Sequence, residues 1–362
     1  TAGDGAIGVL AQSIGGGGGL AGDMASTSYD LGLVKDGGTG GTGAGGHVSV
    51  NVSGVGDNSR VRGVITHGAN APAILAMSLA NGGVLTDQGL LARNAPGNGA
   101  AAGAIDITVD NAATVAAYGA NSPGIHAISR SGGTSGGDIT VTIGNAAEVQ
   151  GGSGPRGAAI VTDTLGKTTI TNSGTITSLG GVAIVTSGPA SVTNADSRTI
   201  NGDIRLAVAT PLAAPSTMLN NGDFSPGTTI FLGGNSGVLT NSGYVDLTAP
   251  VYGQYDTTRL TGQFVQTATG TTIFGLDFKA GKSDVLSVSG GTQFGGEIDF
   301  DTQNPLKGRS LTIAHFDQGA QSFTATTGDL DGLPITYALQ LSPDRRDLSV
   351  SAQGNFANAR SE

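Results

Sequence analysis

Three carboxylates stand at alternate positions, Glu297, Asp299 and Asp301. On a strand, alternation puts all three on one face and Ile298 and Phe300 on the other, with neighbouring carboxylates about 6–7 Å apart. Such a row could hold a calcium ion or divide acid and base roles in sugar hydrolysis. A solvated strand face explains it as simply, and Asp106 and Asp110 read the same way. The four histidines, His47, His67, His126 and His315, are scattered, and none lies in a two-histidine zinc motif. Gly166-Lys-Thr168 is no phosphate loop, because Val161 stands where its first glycine belongs. Gly151-Gly-Ser-Gly-Pro155 ends in proline where a nucleophile elbow needs glycine. Cysteine is absent, which removes thiolate chemistry, disulfides and cysteine-bound metals. The residues point away from an enzyme and call for no cofactor and no metal.

The elements that would position any site must be thin. Sixty-four of 362 residues are glycine, against a usual share of about 7%. Tryptophan is absent, aromatics make up 4%, and charged residues only 12%. Side chains this small cannot fill a wide core. A net charge of −10 argues against nucleic acid and anionic membrane as partners. No apolar run approaches the 18 or so residues of a membrane helix. The chain starts at Thr1 with neither Met nor signal peptide, as an excised piece of a longer precursor would. Of the 64 glycines, 44 precede position 211, and all ten phenylalanines lie between Phe224 and Phe356. Composition therefore divides the chain into Gly-rich coils over 1–210, an aromatic-stabilised part over 211–352, and the start of a linker over 353–362. The joint falls in Ala207–Pro215, which carries two prolines.

A short apolar strand ending in Asn recurs: Ile107–Asn111, Val141–Asn145, Ile170–Asn172, Val192–Asn194, Leu219–Asn221 and Leu239–Asn241. Four of these Asn are followed, four residues on, by Val115, Val149, Ile176 and Val245. A Gly- or Ala-led apolar strand follows in most units, as in Gly124–Ser129, Gly157–Val161 and Gly181–Val185. Each unit thus holds about three strands of four to six residues, and length varies through Gly, Ser, Asn and Pro. One unit cannot bury its apolar face alone, whereas coaxial stacking about 4.8 Å apart pairs every strand with its equivalents. The fold expected is all-β, a right-handed parallel β-helix of three-stranded coils. Asn111, Asn145, Asn172, Asn194, Asn221 and Asn241 are the candidates for an internal amide ladder, since each amide can donate to one neighbour and accept from the other.

Towards the C-terminus the units change character: Gly237–Leu247, Leu260–Gly270, Phe274–Phe278, Ser283–Gly290 and Gly296–Phe300. This succession resembles the C-terminal, autochaperone-bearing segment of pertactin-like passenger domains of type V secretion autotransporters. Gly8-Val-Leu-Ala-Gln-Ser-Ile-Gly-Gly-Gly-Gly-Gly19 is similar to a phrase repeated in large Gly-rich autotransporter adhesins. The resemblance implies export through the outer membrane of a Gram-negative bacterium and display on the cell surface. Anchoring would be through the protein's own β-barrel, which this sequence does not contain. Freedom from cysteine suits passage through a pore in an unfolded state. A terminal hairpin is expected, with Ile335, Tyr337, Leu339 and Leu341 inward, a turn at Ser342–Arg345, and Leu348 and Val350 returning. It would cover an open sheet edge and form part of a folding nucleus.

The function these features imply is that of a passenger stalk acting as an adhesin. Its partner would be a host-surface or extracellular-matrix protein. Self-association with another copy, giving aggregation or biofilm, is one alternative. A scaffold for a catalytic domain lying upstream is another. The glycine runs Gly15–Gly19, Gly37–Gly46 and Gly132–Gly137 read as loops, more as slack than as binding surfaces.

Overall fold

A computed structural model describes residues 1–15, 43–54, 63–80, 84–86, 89–91, 100–131, 136–208, 214–248, 254–304, 309–327 and 335–354. Among them every regular element is a β-strand. The chain divides into two compact units, one of Thr1–Thr193 with Arg198–Ala214, the other of Asn194–Ser197 with Pro215–Glu362.

In the first unit the strands fall into three parallel sheets, and the chain visits them in rotation. The first face stacks Val9–Ile14, Ile74–Leu79, Ile125–Arg130, Ile160–Thr164, Val182–Thr186 and Asp203–Leu206. The second stacks Val48–Ser53, Ile105–Asp110, Ile139–Ile143 and Thr168–Asn172; the third stacks Gly63–Thr66, Thr114–Ala117, Glu148–Gly151, Thr175–Ser178 and Thr199–Asn201. This is a parallel β-helix of three-stranded coils. Each strand pairs with the strand one coil on, so Ile105, Ile139 and Thr168 stand in one row, as do Ile107, Val141 and Ile170. The alternation seen in the sequence sets the core. Ile105, Ile107, Val109, Ile139, Val141 and Ile143 are at most 1% exposed, while Asp106, Thr108, Thr140 and Thr142 between them are half-buried.

Glycine is needed where corners of successive coils touch backbone to backbone. A Cβ on Gly119 would lie 1.8 Å from the carbonyl oxygen of Gly68, and one on Gly103 would lie 2.3 Å from that of Gly46. Neither approach admits a side chain.

The second unit repeats the plan with larger core residues. Its first face runs Thr229–Leu232, Thr257–Thr261, Val285–Val288 and Ser310–Phe316; its second runs Thr217–Asn220, Val238–Asn241, Gln263–Gln266, Thr292–Phe294 and Ala320–Phe323. The third runs Asp223–Ser225, Tyr244–Asp246, Thr271–Asp277, Glu297–Gln303 and Thr326–Thr327. Phe224, Phe264, Phe274, Phe278, Phe294 and Phe316 are fully buried. Phe294 meets Phe264, Phe316 and Phe323 with centroids 5.2, 6.4 and 6.1 Å apart.

Parallel pairing stops at the C-terminal hairpin. Asp347–Gly354 pairs antiparallel with Ser310–Phe316 and with Ile335–Leu341, and covers the edge of the first face. Arg345 N–H donates to Ser342 O (2.8 Å) to close the turn. Tyr337, Leu348 and Val350 are buried, while Leu339 and Leu341 are half-buried. The linker from 355 onward lies outside the described residues.

Candidate functional site

The predicted amide ladder divides in two. Asn172, Asn194 and Asn241 are fully buried at the ends of second-face strands. Asn194 Nδ2 donates to Asn220 Oδ1 (2.9 Å), Asn220 Nδ2 to Asn241 Oδ1 (2.8 Å), and Asn241 Nδ2 to Gln266 Oε1 (3.2 Å). Gln266 ends the row, its Nε2 donating to Gly295 O (2.7 Å) and Glu297 O (2.9 Å). Phe294 holds the same register position one coil on. Each amide also donates to a backbone carbonyl across the corner, as Asn220 does to Gly222 O and Tyr244 O.

Three assignments need correction. Asn221 is half-buried, and the row runs through its neighbour Asn220. Asn111 and Asn145 are exposed in turns, and the register partner of Asn172 is Ile143, which is partnered in turn by Val109. The cause is that the chain uses two corners between second and third faces. After Asn172, Asn220 and Asn241 it turns in two residues, the second always glycine. After Val109 and Ile143 it needs four, Asp110–Ala113 and Gly144–Ala147, with positive φ at Asn111 (55°), Ala112 (58°) and Ala146 (57°). Asn favours that left-handed region more than most residues do. Both corners leave an Asn four residues before an inward residue, so spacing alone merges them. The following residues separate most of them: Asn-x-Gly follows the buried Asn172, Asn220 and Asn241, and Asn-Ala-Ala marks the exposed turns, whereas buried Asn194 leads into the longer corner Ala195–Arg198, with positive φ at Ser197 (56°).

A second ladder escaped the sequence reading. In the first unit, Ser13, Ser78, Ser129 and Thr164 stand in register at the ends of first-face strands. Ser78 Oγ donates to Gly46 O (2.8 Å) and accepts from Gly103 N–H (2.8 Å). Ser129 Oγ donates to Gly103 O and accepts from Gly137 N–H, both at 2.8 Å. Thr164 Oγ1 donates to Gly137 O (2.7 Å) and accepts from Gly166 N–H (2.9 Å). Hydroxyl and glycine thus alternate along the corner. The available signal was a Ser or Thr at a fixed place in the Gly- or Ala-led strands.

The acidic row stands as alternation requires. Ile298 and Phe300 are buried, Glu297 and Asp301 exposed, Asp299 half-buried. Among the described residues, no group of three or more histidine or acidic side chains is placed to hold a metal ion. The histidines are apart: His47 Nε2 contacts Asp106 Oδ2 (2.8 Å), His67 stacks on Tyr118, and His315 lies between Asp347 (2.7 Å) and Asp317 (3.3 Å). His126 is half-buried, and desolvation pushes its imidazole down to about 4 against the opposing pull of Asp163. Asp284 is buried and accepts from the backbone N–H of Asp256 (2.8 Å) and Gly275 (3.0 Å). Burial outweighs those two bonds and raises its carboxyl to about 6.

Two outer features remain. On the second face, hydroxyls align coil upon coil: Thr140 beside Thr169, and Thr108, Thr142 and Thr171 in the next row. The longest insertions of the first unit follow first-face strands, between Ile14 and Val48 and between Leu79 and Ile105. Insertions in coil repeats gather on one side, which is often the binding side. Of the glycine runs, Gly16–Gly19, Gly37–Gly41, Gly132 and Gly133 lie outside the described residues.

No protein-family model matches the chain, and no curated protein matches its sequence. Among solved structures, the Hap adhesin of Haemophilus influenzae is similar at 12% identity and a TM-score of 0.32, over 86% of this chain and 33% of that one. The chain therefore spans about a third of that protein's length. The fold assignment rests on the strand pairing itself.

Proposed function

We propose that this chain is part of a surface-displayed autotransporter passenger that acts as an adhesin, without catalytic activity of its own. The observation that carries the reading is an outer surface of in-register hydroxyls with insertions on one corner, set on coils free of cysteine. Rows of hydroxyls spaced by the strand repeat offer many weak contacts, and multiplicity converts these into avidity. Its partner is a host-surface or extracellular-matrix protein, and its anchor is an outer-membrane β-barrel.

Latex beads coated with the purified chain test this on epithelial cells and on immobilised matrix proteins. Retention well above that of uncoated beads, lost when Thr140, Thr142, Thr169 and Thr171 become Glu, is expected. Retention equal to uncoated beads on every surface contradicts the reading. The hydroxyl rows also favour a second reading, pairing with another copy. Concentration-dependent sedimentation of the wild type, absent from the Glu variant, would select it.

In this reading the C-terminal part nucleates folding during secretion. Its support is the phenylalanine core and the hairpin that covers the sheet edge. Removal of residues 256–352 should then prevent refolding of the remainder; a remainder that refolds fully and stays monomeric would refute it.

A further inference from the structure

A strand that caps a sheet becomes its next edge, so the C-terminal hairpin moves the edge of the first face rather than removing it. The new edge is Ile335–Leu341, which among the described strands has a neighbour on one side alone, Asp347–Gly354. The other two faces end in blunted strands. The second ends in the four residues Ala320–Phe323, with a shift of register against Thr292–Phe294, and the third in the two residues Thr326–Thr327. Short strands and bulges discourage pairing at an edge, as do prolines and charges. Ile335–Leu341 has none of these. Its seven residues, Ile-Thr-Tyr-Ala-Leu-Gln-Leu, keep unbroken register with the other hairpin strand and include neither proline nor charge.

The turn fixes which backbone groups face the free side. Ser342 N–H donates to Asp347 O (2.9 Å), so bonded pairs recur at Gln340, Ala338 and Thr336. The amides and carbonyls of Tyr337, Leu339 and Leu341 therefore point away from the hairpin. Leu339 and Leu341 face inward yet are half-buried, whereas their register partners Val350 and Leu348 are fully buried. We propose that this edge is the interface of a two-fold dimer, in which Ile335–Leu341 pairs antiparallel with the same strand of a second copy. Full overlap sets Ala338 against Ala338, and Tyr337 against Leu339 of the second copy, a pair whose free groups face each other on both strands. Each Leu339 thereby gains an aromatic ring as its cross-strand neighbour. With no charge on the strand, like meets like without repulsion, and two-fold pairing closes at two copies. The interface is separate from the hydroxyl rows of the second face.

Sedimentation of the full chain over a concentration series should show its mass double. Alternation with buried Tyr337 puts the side chain of Ala338 on the outer face, so Ala338→Lys sets two charges against each other across the two-fold. That variant should stay monomeric with unchanged circular dichroism, while the variant with Thr140, Thr142, Thr169 and Thr171 changed to Glu dimerises as the wild type does. A wild type that is monomeric at every soluble concentration overturns the proposal, and so does a dimer that survives Ala338→Lys. A second test requires no loss of association, because the chain has no cysteine of its own. Opposed residues of a non-bonded antiparallel pair have Cα atoms about 4.5 Å apart, within reach of a disulfide. Mild oxidation should therefore link most Ala338→Cys molecules in pairs, while Asn145→Cys, at an exposed turn, stays mostly unlinked. Equal linking of the two variants overturns the proposal.

Discussion

Asn220 gives amide protons to Asn241 Oδ1, Gly222 O and Tyr244 O, and its own oxygen receives Asn194. Leucine of similar size would leave several of these buried groups without partners, at about 1–3 kcal/mol each. Asn220→Leu should therefore cost about 2–4 kcal/mol, read as a shift of the urea transition of the second unit. Asn145→Ser, at an exposed turn, should stay within about 0.5 kcal/mol. The hydroxyl ladder answers to the same logic. Ser129→Ala removes the link between Gly103 O and Gly137 N–H and should cost about 1–3 kcal/mol, whereas outward Thr140→Ala should be near neutral. Residue type told of Asn172, Asn194 and Asn241 because amides suit a stacked row. It misplaced Asn111 and Asn145 because both stand in four-residue turns, where Asn111 takes up the left-handed backbone itself and Asn145 precedes left-handed Ala146, a reason unrelated to stacking. Ser129 was illegible in isolation, since a serine beside glycine is as common in a loop as inside a ladder.

The strands themselves were readable from alternation, as Ile105, Ile107 and Val109 illustrate. Corners were not, because two and four residues both deliver the chain to the third face. The terminal hairpin shows the same division. Its alternation was visible, but nothing in the sequence named Ser310–Phe316 as the strand it would cover. Its anchor is Tyr337, whose ring meets Phe300 and Phe278 at 4.7 and 6.4 Å and whose hydroxyl donates to Thr302 Oγ1 (2.7 Å). Tyr337→Phe should cost about 1 kcal/mol for the lost bond. Tyr337→Ala should cost about 3–5 kcal/mol, as for other buried aromatics. Hydrogen exchange along Ser310–Phe316 checks this: the edge should open markedly in the alanine variant and little in the phenylalanine one.

Across the molecule, the two units solve one problem with a different balance of chemistry: hydroxyl and glycine with the amide of Asn172 in the first, a row of amides and an aromatic core in the second. Their pH responses should differ in sign at two desolvated groups, half-buried His126 and buried Asp284. His126 is held neutral, its value lowered from 6.5 to about 4, so its contribution is complete above 6.5 and fades as pH falls through 4. Asp284 is raised from 3.8 to about 6, so its contribution is complete below 3.8 and is lost as pH rises through 6. His126→Leu should flatten the acid loss of the first unit, and Asp284→Asn the neutral-pH loss of the second. Local hydrogen exchange at pH 4.5 and 7.5 separates the two. Both ladders require buried polar side chains to be aligned from coil to coil, and a double-mutant cycle measures that alignment directly. Asn220→Leu and Asn241→Leu should be coupled by about 1–3 kcal/mol, while Asn111→Gly and Asn145→Ser should add within about 0.5 kcal/mol. Simple additivity for the first pair, or strong coupling for the second, would contradict the account.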